Sequence, residues 1–293
     1  MITGVAAVLA SIPSPSTNKI EIGPLDLTFY GVLIAAGALA AITLAQRRWA
    51  ARGGDPELMA RIGVWSVAAG VAGARVAYLI PRLDRFQGRW IEVLYIWEGG
   101  LAIFGGLIAG IVTGVLMARR AGVDLLDILD AVAPAIPLAQ VIGRWGNYFN
   151  QELFGRPTDL AWGLEIAPEN RPERFASSEL FHPTFLYESL WNAGVVMLLL
   201  FLDRRRVLPR GHLFVAYLGL YGVGRFWIEL LRVDTTFRFL GLSRNALFAL
   251  ALALAAGAFL VRRRRRAEGR ADGAGGSDEA DEVPVSRRDG DGC

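Results

Sequence analysis

Cysteine, lysine and histidine are scarce in this sequence, and their scarcity excludes several kinds of chemistry. One cysteine, Cys293, ends the 293-residue chain, so neither an intramolecular disulfide nor a cluster of thiolate ligands is available. The two histidines, His182 and His212, do not form a metal-spaced cluster. The signatures of P-loop proteins, zinc peptidases and serine hydrolases are also missing. We therefore expect no metal, no nucleotide and no other cofactor.

Long apolar stretches dominate the sequence instead. Hydrophobic residues make up 53% of the chain and the mean hydropathy is +0.37, which is too apolar for an ordinary soluble domain. About seven stretches have the ~18 to 20 residues that a helix needs to cross a bilayer. Their approximate cores are Leu27–Leu44, Gly63–Ile80, Leu101–Ala118, Leu125–Ile142, Phe185–Leu202, Leu213–Leu231 and Ala246–Val261. The predicted fold is an all-α polytopic membrane protein with an external loop region after the fourth helix.

Arginine clusters beside the predicted spans indicate the orientation of the chain. Basic residues next to span ends tend to remain in the cytoplasm. Clusters follow the first, third, fifth and seventh spans, all on one side: Arg47, Arg48, Arg52, Arg119, Arg120, Arg204–Arg206, Arg210 and Arg262–Arg266. This pattern predicts an external N-terminus, a cytoplasmic C-terminus and a long external connection from Gly143 to Thr184. Arg82, Arg85 and Arg89 on the other side weaken the contrast without reversing it.

Composition divides the chain into three parts. Residues 1–20 begin with a short apolar run that ends in Pro13 and Pro15, so we expect an interfacial or disordered N-terminus. Residues 21–266 hold every predicted span and are expected to form the transmembrane domain. Residues 267–293 are rich in Gly, Asp, Glu and Arg, which predicts a disordered cytoplasmic tail. The balance of 31 basic and 28 acidic residues gives no indication of nucleic acid binding.

Charged side chains inside apolar sequence mark a candidate site. An arginine in hydrocarbon costs roughly 2.5 to 3.5 kcal/mol on insertion scales, so Arg75 and Arg225 need partners or a wet cavity. Four side chains of the sixth span have spacings of four, four and three residues, which is one helix face: Tyr221, Arg225, Glu229 and Arg232. An Arg225–Glu229 pair that only fixes packing is one interpretation. The additional Arg75, Arg144 and Glu188 favour a pocket in which unmatched arginines bind an anion.

The most polar stretch is GRWGNYFNQELFG, which follows the fourth span. It carries three glycines, Gly143, Gly146 and Gly155, and its polar side chains include Arg144, Asn147, Asn150 and Glu152. The glycines permit turns with positive φ and close backbone approach, the arginine can bind a phosphate with two N–H groups, and the asparagines can orient hydroxyl or ester groups. A second polar segment, HPTFLYE, places His182, Tyr187 and Glu188 at the start of the fifth span. His182 suits either a base or a simple loop contact.

These motifs resemble those of the prolipoprotein diacylglyceryl transferase family, bacterial membrane enzymes that begin lipoprotein maturation. GRWGNYFNQELFG is similar to the family signature, and further similar segments are FYG with Tyr30, Arg75 in the second span, WEGGLAIFGG from Trp97 to Gly106, HPTFLYE and YGVGRFWIELLR. The resemblance extends from Leu27 to the end of the seventh span. It implies transfer of the diacylglyceryl group of phosphatidylglycerol to the lipobox cysteine of a prolipoprotein signal peptide in the bacterial inner membrane. Glycerol phosphate is released.

The resemblance also implies a role for each candidate residue. Arg144 and Arg225 are expected to grip the lipid phosphate and to stabilise charge on the leaving group. The expected catalytic residues are Arg144, Arg225, Asn147, Glu152 and Glu229. The expected substrate-binding residues are Tyr30, Arg75, Asn150, Gly155, His182, Tyr187, Glu188, Tyr221 and Arg232.

The sequence departs from the family pattern at Phe104. A histidine commonly stands at this place in the glycine-rich motif of the third span, and it is the usual candidate for the base that deprotonates the thiol. A free thiol has a pKa of roughly 8.5, so an arginine-rich pocket can supply thiolate without a histidine. Glu229, His182 and the lipid phosphate are the alternatives.

A transporter or lipid translocator with an arginine-lined cavity is the main alternative function. It predicts charge pairs on both sides of the membrane midplane and Pro or Gly breaks in symmetry-related helices. The candidate residues gather instead toward the external ends of the spans, which favours the enzyme. A purely structural membrane subunit would not explain Arg144, Asn147 and Glu152 packed into one loop.

Overall fold

Helices form most of the architecture. The computed structural model describes residues 11–22, 25–96, 99–233, 238–239 and 241–275. The helices are α1 (Phe29–Ala50), α2 (Pro56–Leu79), α3 (Ile103–Arg120), α4 (Leu125–Val132), α5 (Ala135–Phe149), α6 (Thr184–Arg204), α7 (His212–Leu231) and α8 (Arg244–Gly275). Within these ranges seven helical segments are long and apolar enough to cross a membrane, because α4 and α5 together make one crossing. The predicted polytopic all-α fold is confirmed.

The fourth predicted span differs from expectation in two ways. Ala133 and Pro134 interrupt it, because proline has no N–H to donate to the helix of α4, and α5 begins immediately afterwards. α5 then continues through GRWGNYF to Phe149, so the connection to α6 starts at Asn150 and not at Gly143. The prediction that Arg144 and Asn147 lie in a loop was therefore wrong, because both lie near the end of a helix.

Side-chain caps explain where several helices begin. Thr28 accepts a hydrogen bond from the N–H of Gly31 at 3.1 Å and caps α1. Asp55 accepts from the N–H groups at the start of α2, with Pro56 in the first helical position. Asp124 accepts from the N–H of Leu126 at 2.8 Å and caps α4.

Three short antiparallel hairpins lie at the end of the bundle where α5 and α7 finish. Their strands are β1 (Lys19–Ile22) with β2 (Leu25–Thr28), β3 (Leu164–Glu165) with β4 (Leu180–Phe181), and β5 (Arg238–Phe239) with β6 (Leu242–Ser243). A compact apolar cluster supports this layer and consists of Phe154, Leu164, Ile166, Phe181, Phe185 and Val233. The long connection between α5 and α6 is thus folded onto the helix ends.

The two chain termini only partly fall within the described residues. Residues 1–10 and 276–293, including Cys293, lie outside them. Ile12 bridges to Leu164 beside β3, and residues 19–22 form β1. At the other terminus α8 continues past residue 266 to Gly275. The division of the chain at residues 20 and 266 stays a prediction.

Buried charges hold the helices together at the opposite end of the bundle. Asp130 of α4 is 7% exposed and accepts the N–H groups of Gly211 at 2.6 Å and Phe214 at 3.2 Å, so it caps α7 from a neighbouring helix. Arg48 of α1 donates to the carbonyls of Asp130 and Ala131 and pairs with a carboxylate of α6. Four helices therefore meet through one polar cluster.

Removing the Asp130 carboxylate should lower stability. In Asp130→Ala the N–H groups of Gly211 and Phe214 lose their acceptor, and a buried unsatisfied group costs about 1–3 kcal/mol. Thermal unfolding of the purified protein in detergent should show a lower midpoint. Asp84→Ala is the control, because Asp84 is exposed and its side chain has no recorded partner within the described ranges. Equal midpoints for the two variants would contradict the assignment of Asp130 as an interhelical cap.

Candidate functional site

The carboxylate of Glu188 lies at the centre of a polar network between three helices. Its Oε2 is 2.6 Å from a terminal nitrogen of Arg144 on α5, and its Oε1 is 3.9 Å from a terminal nitrogen of Arg225 on α7. The Glu188 side chain is 8% exposed, while those of Arg144 and Arg225 are 22% and 16% exposed. The structure therefore brings both predicted phosphate-binding arginines to one buried carboxylate of α6.

The network continues from Arg225 to the start of α8. Arg225 pairs with Glu229 one turn later in α7, at 2.6 Å. The other oxygen of Glu229 accepts from the Ser243 hydroxyl at 2.9 Å and from the Asn245 amide at 3.3 Å. Glu229 is 3% exposed, so these contacts offset the cost of burying its charge.

In the other direction the network reaches the turn after α5. Arg144 donates to the Asn147 amide oxygen at 3.2 Å, and the Asn147 amide nitrogen donates to Glu152 at 2.8 Å. Asn150 donates to the same Glu152 oxygen at 3.3 Å. The predicted catalytic residues thus form one continuous chain of polar contacts from Glu152 to Glu229.

The sequence had suggested that the arginines of this site are unmatched, but in the structure each of them has a carboxylate partner. Both face carboxylates, because a guanidinium at this depth requires a counter-charge before any ligand arrives. The Arg225–Glu229 pair exists, and it belongs to the larger network instead of standing alone. A ligand anion would therefore meet arginines whose positions are already set.

Tyr30 reaches the same network from the first turn of α1. Its ring packs on Gly146, where a Cβ atom would come within 2.6 Å of the Tyr30 ring. The tyrosine also lies within electrostatic range of Glu152 and Arg144. Gly146 and Gly143 have helical backbones, so they allow close helix packing and do not make the predicted turns with positive φ.

Gly155 and Arg232 connect the α5–α6 connection to the end of α7. The two residues form a β-bridge, and the N–H of Gly155 donates to the carbonyl of His182 at 2.9 Å. Arg232 is buried, but its backbone is extended because α7 ends at Leu231. The predicted helix face of the sixth span therefore stops at Glu229 and excludes Arg232.

The side chains of His182, Tyr187 and Trp162 form a second polar group. The Trp162 indole N–H donates to the Tyr187 hydroxyl at 3.1 Å, and that hydroxyl is 3.3 Å from the Nδ1 atom of His182. Burial lowers the pKa of His182 below its ordinary value. Neutral imidazole is therefore favoured at neutral pH.

The guanidinium of Arg75 forms hydrogen bonds with the connection between α2 and α3. Its guanidinium donates to the backbone carbonyls of Glu92, Val93, Gly99 and Gly100, at distances of 2.7 to 3.2 Å. These four carbonyls satisfy the buried charge by dipoles and not by an acidic side chain. In this structure Arg75 thus organises a connection, and its predicted contact with lipid stays a prediction.

Two further positions singled out from the sequence, Tyr221 and Phe104, are not part of the polar network from Glu152 to Glu229 in the described ranges. Tyr221 packs against Tyr217 in the apolar cluster between α6 and α7. Phe104, in the first turn of α3, is 76% exposed. Trp97 and Glu98 of the same glycine-rich motif lie outside the described residues.

Ser243, Asn245 and Trp162 were missed as candidates. Ser243 caps α8 by accepting the N–H of Ala246 at 3.0 Å, so a serine three residues before the seventh predicted span was an available signal for a helix cap. Its second bond to Glu229 had no signal in the local sequence, because it joins residues of two different helix ends. Trp162 lies in a connection without periodicity, which leaves no pattern to read.

The pKa shift of His182 predicts a pH dependence of stability. The folded pKa lies below the unfolded value of about 6.5, so the unfolded state binds more protons and stability falls as the pH drops below that value. His182→Gln should lose less stability than the unchanged protein between pH 7.5 and 5.5. Thermal midpoints of both proteins measure this, and their difference should stay constant between pH 7.5 and 8.5. Parallel curves across the acidic range would contradict the shift.

Comparison with known proteins gives a consistent result. A family model described as prolipoprotein diacylglyceryl transferase matches residues 18–262. Phosphatidylglycerol–prolipoprotein diacylglyceryl transferase 2 of Streptomyces coelicolor is 45% identical over 256 residues, which cover 86% of this chain and 81% of that protein. Transferase 1 of the same organism is 45% identical over 89% of this chain and 76% of its own length. The Cutibacterium acnes protein of that name is 43% identical, with 76% and 77% covered. The chain belongs to the prolipoprotein diacylglyceryl transferase family.

Proposed function

We propose that this protein transfers the diacylglyceryl group of phosphatidylglycerol to the lipobox cysteine thiol of a prolipoprotein signal peptide. Its relatives are named for that lipid and that kind of acceptor. The observation that carries the proposal is the meeting of Arg144 and Arg225 on Glu188 at one end of a membrane-crossing bundle. In the reaction the sulfur attacks the carbon of the diacylated glycerol unit that is bonded to the phosphate ester oxygen. The C–S bond forms, the C–O bond breaks, and glycerol phosphate leaves with the electron pair.

Arg144 and Arg225 suit the leaving group. Negative charge grows on the phosphate as the C–O bond breaks, and fixed donors in a region of low dielectric stabilise such charge most strongly. A guanidinium has five N–H groups, and among the described residues the contacts of Arg144 and of Arg225 involve the two terminal nitrogens of each side chain. Both side chains are partly exposed, so their remaining N–H groups are available to phosphate oxygens.

The carboxylates and amides of the network hold the arginines in place. Glu188 and Glu229 fix the two guanidinium groups before the lipid binds, which reduces the reorganisation that the reaction requires. Glu152 holds both Asn147 and Asn150, and Asn147 in turn accepts from Arg144. We assign Glu152 and Asn147 to orienting Arg144, and Asn150 and Tyr30 to contacts with the lipid head group.

The other predicted substrate-binding residues surround this network. His182 and Tyr187 lie at the start of α6 beside the folded connection, where a signal peptide could pass. Gly155 and Arg232 hold that connection against α7, and Arg75 holds the connection between α2 and α3. Tyr221 lies one turn before Arg225 in α7 and is assigned to the acyl-chain side.

The thiol is activated by the arginines in this proposal. Glu188 and Glu229 each pair with an arginine of the network, so we assign both carboxylates to holding the guanidinium groups. Nearby guanidinium groups lower a thiol pKa by stabilising the thiolate. The proton then passes to water or to the departing phosphate.

The proposed location is the bacterial inner membrane with the site at the outer face. Arg119, Arg120 and Arg204 end their helices at the opposite end of the bundle, where basic residues favour the cytoplasm. This orientation gives an external N-terminus and a cytoplasmic C-terminus. A secreted precursor would then present its cysteine on the side where the network lies.

Lysine substitutions test the phosphate-binding role. Arg144→Lys and Arg225→Lys keep the charge but lose the planar fork, so each should lower kcat by about 100-fold or more. The purified protein is incubated with phosphatidylglycerol and a lipobox peptide, and mass spectrometry detects the diacylglyceryl adduct on the thiol. Arg61→Lys, at an exposed position away from the network, should retain full activity. Unchanged turnover in both site variants would exclude the role, and a lipid translocator would leave the peptide mass unchanged.

A histidine at position 104 tests how the thiol is ionised. Arginine-assisted ionisation predicts that Phe104→His changes kcat at pH 7 by less than about threefold, because no base is then missing. The same adduct assay, run from pH 6 to 9, measures the effect. A rise of tenfold or more that follows an ionisation near pH 6.5 would mean that a general base had been restored.

A further inference from the structure

The turn that carries Glu152 has an unusual helix ending. The N–H of Gln151 donates to the carbonyl of Tyr148 at 3.0 Å, and the N–H of Glu152 donates to the carbonyl of Asn147 at 3.1 Å. These two bonds define a Schellman motif, in which the residue after the helix cap is left-handed and is usually glycine. Gln151 holds that position here with φ of 50°.

A second left-handed residue follows Glu152 directly. Leu153 has φ of 59°, and its carbonyl accepts a hydrogen bond from the Thr184 hydroxyl at the start of α6. Left-handed backbone is unfavourable for side chains other than glycine and persists only where the surroundings impose it. The direction of Glu152 is therefore set by strained residues on both sides.

The side chain of Gln151 supplies a fixed point for this turn. Its amide oxygen accepts from the backbone N–H of Ala167 at 2.7 Å. The Ser14 hydroxyl, which donates to the carbonyl of Glu165 at 2.8 Å, lies 3.4 Å from the same amide oxygen. A glycine would adopt the left-handed backbone with less strain, but it could not accept from Ala167. Glutamine at this position therefore has a strained backbone, but its side chain bonds the turn to the hairpin layer.

Residues Ser11–Ser14, which we name the N-terminal strap, pack beside the Gln151 side chain and contact both β3 and α5. Ile12 exchanges backbone hydrogen bonds with Gly163 and Glu165, at 2.9 and 2.8 Å. The Ser14 hydroxyl also lies 2.8 Å from the carbonyl of Glu165. The Tyr148 hydroxyl, in the last turn of α5, donates to the carbonyl of Pro13 at 3.0 Å. The strap therefore joins β3 to the helix end from which Glu152 projects.

We propose that Gln151 is a positioning residue for Glu152 and that the N-terminal strap holds Gln151 in this role. The proposal rests on the proposed function, in which Glu152 orients Asn147 and thereby Arg144. Rotation of the turn would move the Glu152 carboxylate away from Asn147 and Asn150, and the arginine would lose one of its supports. The chemistry would slow while the phosphate could still bind.

Gln151→Gly separates positioning from folding. The glycine relieves backbone strain, so the thermal midpoint should stay within about 3 °C of the unchanged protein. Without the side-chain bond the turn can move, so kcat should fall by about tenfold while KM for phosphatidylglycerol stays within about twofold. A small displacement of the Glu152 carboxylate is enough for such a loss of kcat. Gln151→Met, which keeps the length but lacks the amide oxygen, should show the same loss of kcat. Gln87→Gly is the control at an exposed glutamine outside the turn.

The strap is tested separately with Ser14→Ala. This variant removes the hydroxyl that bonds the strap to the carbonyl of Glu165 and lies beside the Gln151 amide oxygen. It should lower kcat by about twofold at an unchanged midpoint, in the same direction as Gln151→Gly. Full kcat in Gln151→Gly would overturn the positioning role, and full kcat in Ser14→Ala would overturn the role of the strap. If Gln151→Gly also unfolds at a much lower temperature, Gln151→Met and Ser14→Ala decide by the same criteria.

The same assay keeps this proposal distinct from the proposed function. Absence of a peptide adduct with the unchanged protein would reject the transferase activity itself. An adduct that depends on Glu152, shown by loss of kcat in Glu152→Gln, together with full activity of Gln151→Gly, would reject the positioning role alone.

Discussion

A single carboxylate shared by two guanidinium groups is the constraint on which the structure depends. Glu188 projects from the middle helix of three, and the arginines that face it come from the helices on either side. Burying any one of these charges alone would be costly, and removing one partner of a buried pair leaves the others uncompensated. The helices α5, α6 and α7 must therefore keep their register for the charges to remain matched. The same requirement holds the reactive groups in a fixed arrangement.

The opposite end of the bundle uses charge for a different purpose. There Arg48 and Arg52 share the Asp203 carboxylate, and Arg210 contacts Asp124 and Asp127. Arg52, Asp127, Asp203 and Arg210 are among the residues that line a cavity of about 270 Å³. Within the described ranges no asparagine or glutamine lines that cavity. One end is thus built as a structural clamp, and the other has donors that a substrate can use.

The overall fold could be predicted because hydrophobic length is a local property of the sequence. Spans such as Leu213–Leu231 and Phe185–Leu202 differ from α7 and α6 by at most two residues at either end. Where the chain passes from helix to loop, the local signal was weaker. The glycines of the signature suggested a turn, yet Gly146 serves the packing of Tyr30 against a continuous helix.

The site was predictable in its members more than in its contacts. Buried charge pointed to Arg144, Arg225 and Glu188, and these do meet. The sequence could not show that Arg75 donates to backbone carbonyls, because every residue has a carbonyl and no residue type marks the ones that will accept. It also placed Arg232 on a helix that ends one residue earlier. The chemical roles assigned to these residues stay predictions.

The broken fourth crossing has a consequence for the depth at which a lipid is met. The segment Leu125–Phe149, which consists of α4, α5 and the two residues between them, contains 25 residues, or about 37 Å at roughly 1.5 Å per residue. The hydrocarbon slab is only about 30 Å thick, so the final turns of α5 extend past it. We infer that Arg144, five residues before the end of α5, lies near the head-group end of this crossing. A phospholipid could slide in sideways with its tails still among its neighbours, and the protein would never have to lift it out of the bilayer.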